Sequence, residues 1–151
     1  MKWLMIVAII LIDQFSKWLV ITRLKEIGTI PVIENVFHLH YLENRGAAFG
    51  LLQNQRLFFL MITLAITAGI LWYLYRYPQT NKLLTLSLCL ISGGAVGNFI
   101  DRAAYGYVVD FLDFQIWPVF NIADSAIVIG QGLLIYYILK DFQAEKMGGS
   151  P

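Results

Sequence analysis

The sequence has few charged residues and only one cysteine. Asp, Glu, Lys and Arg make up 14% of its 151 residues, 58% of them are hydrophobic, and the mean hydropathy is +0.65. A soluble domain of this length needs a more polar surface, so this composition favours an integral membrane protein. Cys89 alone excludes an internal disulfide. A net charge of +1 gives no electrostatic reason to expect a nucleic-acid partner.

Residue sets for metal or serine chemistry are also missing from the sequence. His38 and His40 share one face of a predicted strand, but no further ligands at suitable spacing accompany them. Ser16 adjoins Lys17, so their side chains diverge on a helix, and Ser125 has no lysine near it in the sequence. We therefore expect no metal site, no cofactor and no serine–lysine protease.

The sequence does contain four apolar runs that are long enough to cross a membrane. About 20 helical residues span the roughly 30 Å hydrocarbon core of a bilayer. The runs cover residues 3–21, 57–75, 83–100 and 119–139. No small-residue cleavage site follows the first run, which carries Asp13 and Lys17, so we expect a retained helix rather than a signal peptide. These runs predict an all-α membrane protein with one domain over residues 1–151 and a flexible tail over residues 141–151.

The loops between the predicted helices divide between the two sides of the membrane. Four spans place both termini on one side and the loops 22–56 and 101–118 on the other. Residues 36–41 alternate with period two, and residues 106–111 are typical of a turn followed by a strand. We therefore expect a small β and loop subdomain on this second side. Basic residues divide evenly between the sides, so their count does not orient the chain.

Polar side chains collect near one end of the predicted helices. Asp13 and Lys17 lie four residues apart in the first helix, and Asn121 and Asp124 lie three apart in the fourth. Such spacings share a helix face. The third helix adds Gly94, Asn98, Asp101 and Arg102. At 1.5 Å per residue, these groups lie at mid-depth or nearer the face that holds the long loops, so we expect one cluster hidden from lipid.

Simple helix packing explains Asp13 and Lys17 better than it explains Asp124, which has no lysine or arginine as a helical neighbour. Two nearby carboxylates share one proton, so one can activate water while the other protonates the reacting group. The partner of Asp124 in such a pair would be Asp101, Asp110 or Asp113. Asp101 has a neighbouring counter-charge in Arg102, whereas Asp110 and Asp113 point to opposite faces of a strand. Spacing alone leaves the partner open.

A small proton-coupled membrane transporter would also bury carboxylates. Such a protein is expected to hold its acids near mid-membrane and to show an inverted or duplicated pattern. In this sequence the acids crowd towards one face and no repeat is present. We keep the transporter as the alternative to an aspartic protease.

Five blocks of the sequence resemble the signature blocks of lipoprotein signal peptidase, the bacterial signal peptidase II. The blocks are DQFSK at 13–17, NRGAAFG at 44–50, GGAVGNFIDR at 93–102, VVDF at 108–111 and FNIAD at 120–124. They follow the order of the family, and the likeness covers all four predicted spans. The resemblance implies an aspartyl endopeptidase that removes the signal peptide from diacylglyceryl-modified prolipoproteins, cutting just before the lipid-bearing cysteine.

The resemblance also implies the roles of individual residues. Asp110 and Asp124 match the catalytic pair of the family, which would leave Asp113 outside the site. Positions that match residues supporting the site or binding substrate are Asn44, Arg45, Gly94, Asn98, Arg102 and Asn121. Asp13 and Lys17 match further family positions near the site, and the alternative that this pair only joins helices stays open.

Partners and location follow from the same resemblance. It implies a protein of the bacterial cytoplasmic (inner) membrane, with both termini in the cytoplasm and an active site near the extracytoplasmic face. It also implies binding of globomycin, the cyclic depsipeptide inhibitor of the family. We expect a monomer in the lipid bilayer with no metal, cofactor or nucleic acid.

Overall fold

The computed structural model describes residues 1–46 and 55–146. Its helices are α1 (Lys2–Arg23), α2 (Arg56–Arg76), α3 (Lys82–Ala104) and α4 (Ile122–Lys146). Its strands are β1 (Thr29–Ile33), β2 (Phe37–Asn44) and β3 (Val108–Asp113). All four helices are long and apolar enough to cross a membrane. The predicted fold class, four membrane-spanning helices with a small β subdomain, is confirmed.

The fourth helix differs most from its predicted bounds. It begins at Ile122 rather than at residue 119 and continues to Lys146. Residues 140–146 contain good helix formers and neither glycine nor proline, so the helix runs into the segment predicted as a flexible tail. Residues 147–151 and the second half of the NRGAAFG block, residues 47–50, lie outside the described residues.

Helix α3 is the centre of the helical bundle and contacts the other three helices. Small residues let these neighbours approach closely. A Cβ atom added at Gly94 would clash with the carbonyl oxygen of Ala123, and one at Gly97 would lie 2.5 Å from Oδ2 of Asp13. These glycines therefore serve close helix packing, as membrane helices commonly require. At the other end of α3, Leu88 and Cys89 form an apolar cluster with Ile6 and Leu74.

The three strands form one antiparallel sheet in the order β1-β2-β3. Strand β1 was not predicted, because it is short, exposed and contains Pro31, which a sheet accommodates at an edge. On β3, Val109 and Phe111 pack in a cluster with Val20 of α1 and with Leu24, which directly follows that helix. Since side chains alternate along a strand, Asp110 points to the opposite face.

Candidate active site

A groove of about 790 Å³ contains both Asp110 and Asp124 among its lining residues. Three further polar side chains that the resemblance singled out also line it, namely Asn44, Asn98 and Arg102. Most of the remaining wall is apolar: Ala95, Val108, Phe114, Ile116, Trp117, Pro118, Val119, Phe120, Ile127, Val128 and Ile129. The groove therefore combines two carboxylates with a surface suited to an apolar ligand.

Asp110 is held in the middle of β3 by two amide donors. Its side chain is buried, with 1% of the residue exposed. Nδ2 of Asn44 donates to Oδ2 at 2.8 Å, and Nδ2 of Asn121 donates to Oδ1 at 2.7 Å. These donors satisfy a carboxyl group that would otherwise be costly to bury.

The environment of Asp110 raises its pKa to about 7. Burial is the main cause, because it disfavours the charged form, and the neighbouring charge of Asp124 adds to it. The hydrogen bonds from Asn44 and Asn121 act in the opposite direction. An acid that keeps its proton near neutral pH, beside a second carboxylate, has the property that a proton-sharing pair requires.

Asp124 lies in the first turn of α4, where the helix N-terminus favours a negative charge. Nδ2 of Asn98 donates to its Oδ1 at 2.7 Å, and the residue is only half-buried. Asn121 precedes the helix and accepts a hydrogen bond of 2.8 Å from the backbone N–H of Asp124. Because Nδ2 of Asn121 also donates to Asp110, one side chain connects the carboxylate of Asp110 to the backbone of Asp124.

Arg102 and Arg45 occupy different surroundings. Nη2 of Arg102 donates to the carbonyl oxygen of Gly46 at 3.2 Å, and its guanidinium lies 4.6 Å from the ring centre of Phe59. Arg45 is exposed and pairs with Glu43 at 3.3 Å rather than with Asp110 or Asp124. The structure therefore brings Arg102 to the groove, but it directs Arg45 elsewhere.

Asp13, Lys17 and Asp101 form a buried ion cluster. Nζ of Lys17 lies 2.9 Å from Oδ2 of Asp13 and 2.9 Å from Oδ2 of Asp101. Asp101 therefore has the ammonium group of Lys17, from another helix, as a counter-charge in addition to its sequence neighbour Arg102. Gln14, which the sequence analysis missed, donates to Oδ1 of Asp101 at 2.9 Å. Its Nε2 also donates to Oδ2 of Asp13 at 3.2 Å, and the contact with Asp101 depends on how α1 packs against α3, which no spacing within α1 contains.

Asp113 and the two histidines form hydrogen bonds at the surface of the sheet. Asp113 accepts from the backbone N–H of Gln115 at 2.8 Å and from its Nε2 at 2.6 Å. Nδ1 of His38 lies 3.2 Å from Nε2 of Gln115, and Nδ1 of His40 lies 2.6 Å from Oγ1 of Thr29. Within residues 1–46 and 55–146, no group of three or more His, Cys, Asp or Glu side chains could hold a metal.

Known proteins resemble this chain over nearly its full length. A family model described as signal peptidase (SPase) II matches residues 5–140. The lipoprotein signal peptidase of Halothermothrix orenii is 49% identical over 148 residues, 98% of this chain and 99% of its own length. That of Moorella thermoacetica is 49% identical over 92% of this chain and 93% of its own length. A bacterial membrane enzyme structure, solved in meso at 2.3 Å resolution, has a TM-score of 0.86 and 37% identity, covering 93% of this chain and 88% of that one.

Proposed function

Since the chain belongs to the signal peptidase II family, we propose that Asp110 and Asp124 are its catalytic pair. The protein is a multi-pass membrane peptidase that removes signal peptides from prolipoproteins. The transporter alternative has no support among these relatives. The observation that carries the assignment is that both carboxylates line one groove, where burial and the charge of Asp124 raise the pKa of Asp110 to about 7.

The proposed mechanism begins with one proton on Asp110 and a negative charge on Asp124. The carboxylate of Asp124 takes a proton from a water molecule, and the resulting hydroxide attacks the scissile carbonyl carbon. Asp110 gives its proton to the carbonyl oxygen as the tetrahedral intermediate forms. Asp124 then passes the proton that it took from water to the amide nitrogen as the C–N bond breaks, and a hydroxyl group of the intermediate returns a proton to Asp110. Asn44 and Arg102 supply N–H donors in the groove that can hold the peptide backbone or the oxyanion.

The apolar wall indicates how substrate reaches these carboxylates. Val128 and Ile129 of α4 line the groove and are exposed on the surface of a membrane-spanning helix. A diacylglyceryl-modified prolipoprotein can therefore enter from the bilayer, with its lipid chains against apolar side chains. We propose cleavage just before the lipid-bearing cysteine, with β2 held against the substrate from outside the membrane.

Single-turnover cleavage of a lipidated substrate tests the catalytic pair. Asp110→Asn and Asp124→Asn keep side-chain size but remove the titratable proton, so each variant should lose at least about 10²–10⁴ in rate. The double variant should be no slower than either single one, because the two groups act as a unit. Asp113→Asn is the matched control and should stay within roughly tenfold of wild type. An inactive Asp113→Asn beside an active Asp110→Asn would contradict the assignment.

The family resemblance also leads us to propose where an inhibitor binds. Globomycin should compete with prolipoprotein for the groove, and non-competitive inhibition would exclude a shared site.

We also propose a monomer in the cytoplasmic membrane with both termini in the cytoplasm. A cysteine introduced at the exposed Ile116 should react with a membrane-impermeant maleimide in spheroplasts, whereas one at Gln79 between α2 and α3 should not. The reverse labelling pattern would invert the orientation.

A further inference from the structure

The residue that precedes each proposed catalytic aspartate donates its backbone N–H to a buried carboxylate. The backbone N–H of Val109, just before Asp110, donates to Oδ2 of Asp101 at 3.0 Å. The backbone N–H of Ala123, just before Asp124, donates to Oδ1 of Asp13 at 2.9 Å. We propose that Asp13, Lys17 and Asp101 form a positioning unit that fixes the backbone of both aspartates at once. This inference rests on the proposed function of Asp110 and Asp124.

Lys17 joins the two carboxylates of this unit. Its ammonium group has three N–H donors, and three acceptors surround it: Asp13, Asp101 and Oδ1 of Asn98, each at 2.9 Å. Lys17 is 2% exposed, Asp13 is fully buried and Asp101 is 1% exposed. The separation between the two backbone anchors is therefore set by one cation rather than by two independent contacts.

The same cation also orients a side chain that contacts Asp124. Oδ1 of Asn98 accepts from Lys17, so the amide must present Nδ2 towards the groove. That Nδ2 donates to Oδ1 of Asp124 at 2.7 Å. Lys17 therefore contacts three residues that each hold part of the proposed catalytic pair. Asp101 binds the backbone before Asp110, Asp13 binds the backbone before Asp124, and Asn98 binds the carboxylate of Asp124.

Helix packing alone is a poor explanation of this cluster. A buried ion pair is weak support for stability, because apolar residues of similar volume often replace it without loss. None of Asp13, Lys17 and Asp101 is among the described residues that line the groove, so they are not placed to bind substrate. What distinguishes the cluster is that Asp101 and Asp13 accept from the backbone N–H groups of Val109 and Ala123, the residues before the two proposed catalytic acids.

The test removes one anchor at a time and measures kcat, KM and Tm with a lipidated peptide substrate. Asp101→Ala removes the acceptor of Val109 N–H but leaves Lys17 paired with Asp13, so no buried charge is orphaned. Because a misplacement of about 1 Å can cost roughly 10² in rate, kcat should fall at least about tenfold. KM should stay within about threefold, since substrate contacts are untouched. Asp13→Ala should behave in the same way through Ala123.

Two further variants separate positioning from stability. Asp101→Asn can place its carbonyl oxygen where Oδ2 lies and accept from both Val109 and Lys17. Its Nδ2 then faces Nε2 of Gln14, which must turn away, so the variant should have a lower Tm than wild type but recover most of the lost kcat. Ile6→Ala lowers stability in the apolar cluster at the far end of α1 and α3. Measured equally far below its own Tm, Ile6→Ala should keep kcat within about threefold of wild type.

Three outcomes would overturn the inference. They are an Asp101→Ala kcat no lower than that of Ile6→Ala, a loss confined to KM, or an Asp101→Asn variant as slow as Asp101→Ala. Asp110→Asn is measured alongside these variants. If it cleaves normally, the proposed function fails, whereas an inactive Asp110→Asn beside an unimpaired Asp101→Ala defeats the positioning unit alone.

Discussion

Asn121 donates a hydrogen bond of 2.7 Å from its Nδ2 to Oδ1 of Asp110. Its Oδ1 accepts from the backbone N–H of Asp124 at 2.8 Å, three residues later and inside the first turn of α4. The second contact is that of a helix N-cap. One buried side chain therefore begins a membrane-spanning helix and orients a strand carboxylate at the same time.

These two roles of Asn121 can be separated by substitution. Asn121→Ser keeps an oxygen that can cap the helix, Asn121→Ala does not, and both remove the donor to Asp110. We expect both variants to lose at least about tenfold in kcat, or about 1.4 kcal/mol of barrier. The Ala variant should also unfold with about 1 kcal/mol less free energy than the Ser variant.

Asn81 supplies the matched control for the cap. It begins α3 and its Oδ1 accepts from the backbone N–H of Leu83 at 2.8 Å. Asn81→Ala should lower Tm through the lost cap while leaving cleavage unchanged. Wild-type kcat in both Asn121 variants would mean that the hydrogen bond to Asp110 has no catalytic role.

The glycines of α3 predict a second set of effects. Gly97→Ala would place a Cβ atom 2.5 Å from Oδ2 of Asp13, and Gly94→Ala would press against the carbonyl group of Ala123. Overpacking of this kind costs about 1–3 kcal/mol of unfolding free energy, so both variants should show a lower Tm. At Gly132 of α4 an added Cβ meets nothing within 4 Å. Gly132→Ala should therefore be neutral or more stable, and a Tm loss equal to that of Gly97→Ala would refute the packing argument.

Strand alternation alone does not show whether Asp110 or Asp113 is the partner of Asp124, and the reason is physical. Both faces of β3 carry apolar residues, with Val109 and Phe111 on one and Val108 and Leu112 on the other, so alternation does not reveal the inner face. The structure provides the missing contact, since Val20 near the end of α1 and Leu24 directly after it cover Val109 and Phe111. That packing turns Asp110 towards the groove, and it depends on a helix more than 80 residues earlier in the chain.

The four membrane spans and the location of the polar cluster could be predicted more fully than the hydrogen bonds and ion pairs within that cluster. Helix length and spacing along one helix are local properties, and they correctly placed Asn98, Asn121 and Asp124 near one another. The partner of Asp101 is decided by contact between α1 and α3, which no spacing within α3 contains. Adjacency in sequence predicts Arg102 as a nearby counter-charge of Asp101, but it carries no information about Lys17, which forms the ion pair from α1.

Arg102 carries the third prediction. Its planar guanidinium donates to the carbonyl oxygen of Gly46 while it lies over the ring of Phe59, two contacts that a lysine ammonium does not reproduce together. Arg102→Lys should therefore reduce kcat by about tenfold, or about 1.4 kcal/mol, while the protein stays inserted in the membrane. Arg56→Lys is the control, because Arg56 is exposed and donates to Ala103 at the end of α3. Full turnover by Arg102→Lys would reduce Arg102 to an interfacial anchor.

The last prediction concerns pH and follows from the raised pKa of Asp110. An ordinary aspartic acid loses its proton near pH 4, whereas Asp110 keeps its proton up to about pH 7 because it is buried beside Asp124. Activity that needs this proton should be present below pH 7 and fall as pH rises through that value. A profile of kcat/KM against pH measures the descending limb, since that ratio reports the free enzyme.

A substitution at Asn44 tests whether the pKa of Asp110 sets the descending limb of the pH profile. Its hydrogen bond to Oδ2 of Asp110 favours the ionised form and so lowers the pKa. Removing the donor in Asn44→Ala should raise the pKa of Asp110 further, and the descending limb should move to higher pH even if the maximal rate falls. Asp113→Asn should leave the position of the limb unchanged, because Asp113 bonds to Gln115 on the other face of β3. A limb that moves to lower pH in Asn44→Ala, or that moves equally in Asp113→Asn, would show that another group controls the profile.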